Sequence, residues 1–301
     1  MSDDPTPQPT KSHGRLSIRA SLKPRDLMEE APRLKGAWEA RVITLFPEAF
    51  PGTLGLSLTG KALDIGLWRL QTIHLRPFGE GKHRNVDDTP AGGGAGMVLR
   101  ADVLDRALRH AAEETPDRAR WPVVYLSPRG RPFDQAAARR LAECDGVTIL
   151  CGRFEGVDQR LLDHWNIEEI SLGDFVLTGG EIAAQAVLDA TVRLLPGVLG
   201  NQASTEEESF SDGLLEHPQF TRPQVWEGRE IPAVLQSGNH AEIARWRRAE
   251  AERITAERRP DLWAAHQAAR PPEPTRRRSA RPASESEAMP LSGAALPGDT
   301  A

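Results

Sequence analysis

Three stretches of this 301-residue chain concentrate glycine: PAGGGAGM (residues 90–97), CGRFEGVDQR (151–160) and SLGDFVLTGGE (171–181). The last two also carry arginine or carboxylates. Lacking a Cβ, glycine lets main-chain N–H and C=O groups come close to a ligand, and in open α/β sheets ligands sit beyond the carboxyl ends of strands. Any one of these segments by itself reads more readily as a tight turn. Three together point to a site built from backbone. No GxGxxG fingerprint accompanies them. GLSLTGKA (55–62) comes near the phosphate-cradling GxxxxGK[ST], but Ala62 stands where a hydroxyl must reach magnesium, and PEAFPGTL rather than a strand precedes it. What remains is a ligand held by main-chain polar groups without a phosphate clamp, such as an adenosine-bearing molecule that lacks phosphates. S-adenosylmethionine is one candidate, and spacing alone does not select it.

The elements that must position these loops are β-branched runs and helical periods. Residues 41–46 (RVITLF), 122–128 (PVVYLSP) and 146–152 (GVTILCG) read as buried parallel strands bounded by Pro or Gly. Residues 133–143 read as a helix. So do residues 181–197, with Ile182, Ala186, Ala190 and Leu194 as an apolar stripe ending at Pro196. Strand–helix alternation predicts an α/β fold whose sheet is covered on both faces. After residue 200, NQASTEEESFSDG reads as a linker. Beyond it a small helical domain is expected, with Asn239 and Glu242 as a capping box and Ile243, Trp246 and Ile254 on one face. Its arginines are offset by glutamates, which fits either a solvated helix face or a phosphate-facing surface.

Bulk composition narrows the classes. Two cysteines are too few for a disulfide framework, which fits a reducing compartment, and their spacing does not suit zinc. No apolar run approaches the roughly 20 residues that span a bilayer, and the first ten residues lack the order of a secretion signal. A cytoplasmic protein without a membrane partner is expected. The formal charge of −5 gives no support for broad electrostatic binding to nucleic acid, DNA included, so an RNA partner must be recognised locally.

In their order, VITLFPEAF, VDDTPAGGGAGM, YLSPRGRPFDQ, CGRFEGVDQR, SLGDFVLTGGE, LLPGVLG, TRPQVWEG and VLQSGNHAEIARWR resemble the bacterial tRNA (guanine-N1)-methyltransferases that modify guanosine at tRNA position 37. The likeness runs from about residue 41 to residue 263. It implies a SPOUT-type parallel α/β sheet with a deep C-terminal trefoil knot, plus a small helical C-terminal domain. The expected boundaries are a disordered tail at 1–36, a knotted methyltransferase domain at 37–200, a flexible linker at 201–213, a tRNA-binding domain at 214–265 and a second tail at 266–301. It also implies a homodimer with its active site between subunits, S-adenosylmethionine held bent by main-chain groups, and help from Mg2+. The donor site implied by the match comprises Tyr125, Leu126, Ser127 and Pro128, then Gly152, Arg153, Phe154 and Glu155. It continues through Ser171, Leu172, Gly173, Asp174, Phe175, Val176 and Leu177 to Gly179 and Gly180.

Methyl transfer to guanine N1 needs the N1 proton removed and the charge that develops near O6 stabilised. The family assigns these tasks to an aspartate in the linker and an arginine at the end of the helix after the knot. Matching LLPGVLG puts the arginine at Arg193, whose plainer role would be to relieve a helix C-terminus. Counting back from SF in STEEESF puts the carboxylate at Glu208, a glutamate where the family usually has aspartate, with Glu206 and Glu207 as neighbours able to serve. Phe154 and Phe175 stand where the family often has tyrosine. The competing classes are a catalytically silent tRNA or donor-binding protein and a nucleotide hydrolase built on residues 55–62.

Overall fold

The structure is a computed structural model that describes residues 36–113, 118–199, 209–210 and 212–269. The expected tails, apart from Gly36 and residues 266–269, lie outside the described residues, as do residues 201–208 of the linker. The chain divides into two compact units, residues 1–211 and 212–301.

The first unit runs β1 (Trp38–Thr44), α1 (Ser57–Asp64), β2 (Trp68–His74), β3 (Asp87–Asp88), β4 (Val98–Leu99), α2 (Ala101–Ala112), β5 (Val123–Pro132), α3 (Gln135–Ala142), β6 (Gly146–Leu150), α4 (Gln159–Trp165), β7 (Glu168–Ser171) and α5 (Glu181–Val192). Five strands form one parallel sheet in the order β2-β1-β6-β5-β7. Because side chains alternate across a strand, each central strand feeds two cores. Ala40, Val42, Val124, Val147 and Ile149 pack on one face with Leu141 of α3 and Ala184, Val187 and Leu188 of α5. Ile43, Tyr125 and Leu150 pack on the other with Val103, Leu104 and Leu108 of α2 and Leu161, Leu162 and Trp165 of α4. Burial on both faces is why the strands at 122–128 and 146–152 read as unbroken apolar runs.

Several boundaries differ from the sequence expectation. β1 starts three residues early at Trp38 and ends at Thr44, because Phe46 already leads into the turn opened by Pro47. β5 does not end at Pro128. Residues 127–130 loop out, and the strand resumes so that Leu126 and Arg131 both register on Ile170. Gly130 allows this, since a Cβ there would overlap the Ile170 backbone. The expected stripe on α5 is the wrong one: Ile182 is 65% exposed, whereas Ala183, Ala184, Val187, Leu188, Thr191 and Val192 are buried. That helix is apolar around most of its circumference, so periodicity offers two stripes and cannot choose between them. Residues 55–62 straddle a 3-10 turn and α1, with Gly60 packed against the Gly55 carbonyl, so the strand-then-loop context of a phosphate cradle is missing.

The second unit holds a short hairpin, β8 (Val225–Trp226) and β9 (Arg229–Glu230), followed by α6 (His240–Arg258) and α7 (Pro260–Ala269). α7 runs four residues past the expected end at 265, through AHQAA, which has no helix breaker. Asn239 caps α6 by accepting from the Glu242 amide at 3.3 Å. Ile254 and Thr255 are buried, and Trp246 packs edge-on against Phe220. Arg248, Arg253 and Arg259 pair with Glu252, Glu250 and Asp261 on the surface. Among the described residues no helix is long and apolar enough to cross a membrane.

Candidate active site

On one side of the sheet, the ends of β6 and β7 and the loop-out of β5 line a cavity of about 380 Å3. This is the expected place for a ligand in a parallel sheet, and the volume lies in the range of about 300–1,000 Å3 that holds a small organic molecule. β5 supplies Tyr125 and Leu126, and its loop-out supplies Ser127 and Pro128. The turn after β6 supplies Gly152, Arg153, Phe154 and Glu155. The segment after β7 supplies Ser171, Leu172, Gly173, Phe175, Val176 and Leu177, then Gly179 and Gly180. Of the expected donor residues only Asp174 is not in the lining. Arg129, Gly156, Val157, Ile170, Thr178 and Ala183 also line it, beyond the sequence expectation. Arg129 belongs to a loop-out that alternation along a strand gives no reason to expect.

Close backbone approach explains Gly152, Gly179 and Gly180. Gly180 has an ordinary helical φ of −79°, and its N–H donates to the Gly152 carbonyl at 3.0 Å. A Cβ on Gly180 would lie 2.8 Å from Cys151 Cα. A Cβ on Gly152 would lie 2.8 Å from the Tyr125 ring. At Gly179 a Cβ would overlap the Arg153 side chain. The loop at 90–97 docks on the same turn through the Glu155 amide, which donates to the Met97 carbonyl at 2.9 Å.

Charge within the site is largely neutralised by pairing. Arg153 Nη2 stands 2.9 Å from Glu181 Oε2, and Arg129 Nη2 stands 3.3 Å from Glu169. Burial pushes the Tyr125 hydroxyl above its ordinary pKa, with Arg129 opposing and Glu169 adding. Burial also pushes the Cys151 thiol well up, so it is a neutral packing group rather than a nucleophile. Apolar surface from Leu126, Ile170, Leu172 and Leu177, main-chain groups between them and arginines already paired fit an adenosine-bearing donor without phosphates.

Arg193 stands at the C-cap of α5, half-buried and outside the cavity lining. Glu208, with Glu206 and Glu207, lies outside the described residues. Among the described residues no three His, Cys, Asp or Glu side chains converge to hold a metal ion, so the Mg2+ implied by the resemblance has no protein ligand set among them.

Comparison with known proteins adds an independent line. The family described as tRNA (Guanine-1)-methyltransferase TrmD matches residues 39–265. A tRNA (guanine-N(1)-)-methyltransferase of Cereibacter sphaeroides is 75% identical over 242 residues, covering 80% of this chain and 97% of the relative. Its namesake in Ruegeria pomeroyi is 70% identical over 241 residues, covering 80% and 98%. One from Bartonella tribocorum is 59% identical over 227 residues, covering 75% and 95%. The match spans every strand of the central sheet but the first residue of β1, all three loops around the cavity and most of the second unit, and on that ground the chain belongs to the TrmD family of tRNA (guanine-1)-methyltransferases.

Proposed function

We propose that this protein transfers a methyl group from S-adenosylmethionine to N1 of the guanosine at position 37 of tRNA. The observation that carries this reading is the cavity walled by main chain at the carboxyl ends of β6 and β7 and the loop-out of β5, in a chain 59–75% identical to enzymes named for guanine-N1 methylation of tRNA. The bound donor supplies a methyl group already activated on a sulfonium sulfur. The protein has two tasks left, to align the acceptor nitrogen and to remove its proton. Glu208 takes the N1 proton, with one more methylene of reach than the family's usual aspartate. Arg193 offsets the charge that grows at O6. The target base must leave its stack to be reached.

The finer features of the family extend this reading. Residues 172–180 pass across the turn after β6, joined to it by the Gly180–Gly152 hydrogen bond and the Arg153–Gly179 bridge, before α5 packs against α3 and β1. Such a crossing supports a trefoil knot in which the segment threads beneath that turn. Large apolar side chains reach the surface at Phe46, Phe154, Phe175, Val176 and Ile182, which supports a homodimer in which a second copy covers them.

The test is methyl incorporation into tRNA with guanosine at positions 36 and 37, with mapping of the modified base, and calorimetry of donor binding. Arg193→Ala and Glu208→Ala should each abolish turnover while donor affinity stays within about threefold of wild type. Equal loss of the donor in both variants would refute the assigned roles. A silent binder would retain the donor and transfer nothing even as wild type.

A further inference from the structure

We propose that Glu181 and Thr44, neither of which lines the cavity, form a latch that holds its two walls together through Arg153. The inference rests on reading the cavity as the donor site. Glu181 opens α5 and is 4% exposed, and Thr44 closes β1 and is 1% exposed. The Thr44 hydroxyl has one proton, which it donates to Glu181 Oε1 at 2.7 Å, while Thr44 Oγ1 accepts from the Phe46 amide at 3.0 Å. That bond fixes the carboxylate, whose other oxygen meets Arg153 Nη2 at 2.9 Å. The Arg153 side chain leaves the turn after β6, crosses the face of Gly179 where no Cβ could fit, and donates to the Thr178 carbonyl at 3.3 Å. The Phe46 ring covers its guanidinium at 4.3 Å.

One cation thus ties the loop at 152–155 to the loop at 177–180 and both to the end of β1. A buried carboxylate with no partner is costly, so Glu181 and Arg153 hold each other in place. Arg153 Nε and Glu181 Oε2 are buried without a well-angled hydrogen bond, so the pair acts mainly through charge and position. Loops fixed in advance need not be ordered when a ligand arrives, and affinity gains accordingly. Glu181 and Thr44 are therefore positioning residues, and their loss should appear in donor affinity rather than in the chemical step.

The test uses the full chain with Glu181→Gln, Thr44→Val, Arg153→Met and the Arg153→Met/Glu181→Gln double variant. Calorimetry with S-adenosylhomocysteine should show affinity weakened about tenfold or more by Glu181→Gln and about threefold by Thr44→Val, with kcat at saturating donor within about threefold of wild type. The double variant should bind no worse than Arg153→Met yet melt at a higher temperature, because the unpaired buried charge is gone. Hydrogen exchange on the donor-free chain gives a second readout, with amides of residues 152–155 and 177–180 exchanging about tenfold faster in Glu181→Gln. If Glu181→Gln lowered the melting temperature but left both donor affinity and loop exchange within about twofold of wild type, the latch would be refuted. If the wild type bound no donor, the reading of the cavity would fail, and loop exchange alone would still decide the latch.

Discussion

Replacing Gly180 with alanine adds one methyl group at the point where two walls of the cavity proposed to bind the donor touch. The backbone there is ordinary (φ −79°, ψ −10°), so alanine meets no conformational penalty and the whole effect is crowding. The new Cβ would lie 2.8 Å from Cys151 Cα, 3.0 Å from Gly152 N and 3.1 Å from Cys151 Cβ. Carbon atoms rest at about 3.5–4.0 Å, so residues 151–152 and 180 must part by roughly 0.7 Å or more. Their Gly180–Gly152 hydrogen bond, now 3.0 Å, would stretch beyond bonding distance. Overpacking costs about 1–3 kcal/mol and the lost bond about 1 kcal/mol. In the free chain the loops relax apart, so the cost falls on the step that recloses them around the donor. At 1.4 kcal/mol per tenfold, the dissociation constant for S-adenosylhomocysteine should rise about 30-fold or more. Gly81→Ala is the control. Its φ of +73° makes alanine strained by about 1–2 kcal/mol, but nothing lies within 4 Å of the new Cβ and the residue is not in the cavity lining. It should lower the melting temperature and leave donor affinity alone. Calorimetry that found Gly180→Ala within about threefold of wild type would refute the claim that glycine is needed there for room.

Asp105 and Asn239 give further tests. Asp105 accepts from Trp165 Nε1 at 2.8 Å and Arg109 Nε at 2.7 Å; partial burial raises its pKa, but those two bonds outweigh it and hold the carboxyl below its ordinary value. A folded value below the unfolded one adds stability above about pH 4 that is lost as pH falls through the folded value. Asp105→Asn should therefore lower the melting temperature at neutral pH and converge on wild type as pH falls through the folded value, and melting curves that stay parallel throughout the acid range would contradict the assignment. Asn239→Ala removes the cap of α6 and should cost about 1 kcal/mol, read from denaturant unfolding of the full chain through the fluorescence of Trp246 and Trp263. No change in the midpoint would mean that the 3.3 Å contact carries no stability.

How much of the fold the sequence displays depends on how each strand is buried. β5 and β6 are covered on both faces, so β-branched runs stand out between Pro or Gly. The edge strand β2, WRLQTIH, has intermediate or exposed positions at five of its seven residues and offers no such run. β7 is four residues long and opens on two glutamates, so no apolar run marks it. α2 buries Val103, Leu104, Ala107, Leu108 and Ala111 at helical spacing. That signal was available, but Arg100 makes no side-chain cap and the preceding glycines blur the start.

The glycine loops show why the site was legible in part. Gly92 and Gly93 have φ of +93° and +82° with open space around a Cβ, so they are glycine for the sake of conformation. Gly152, Gly179 and Gly180 have no such φ and are glycine for lack of room. Composition alone cannot separate a need for backbone angle from a need for space, because both leave the same letter in the sequence. Arg153 carries the same ambiguity in a charged residue. Its place in CGRF suggests a hand on the donor, while its guanidinium is engaged by a carboxylate 28 residues further on that a threonine 137 residues away holds still. A contact of that separation leaves no local pattern, and it exists only because β1, the turn after β6 and the start of α5 converge at one corner of the sheet.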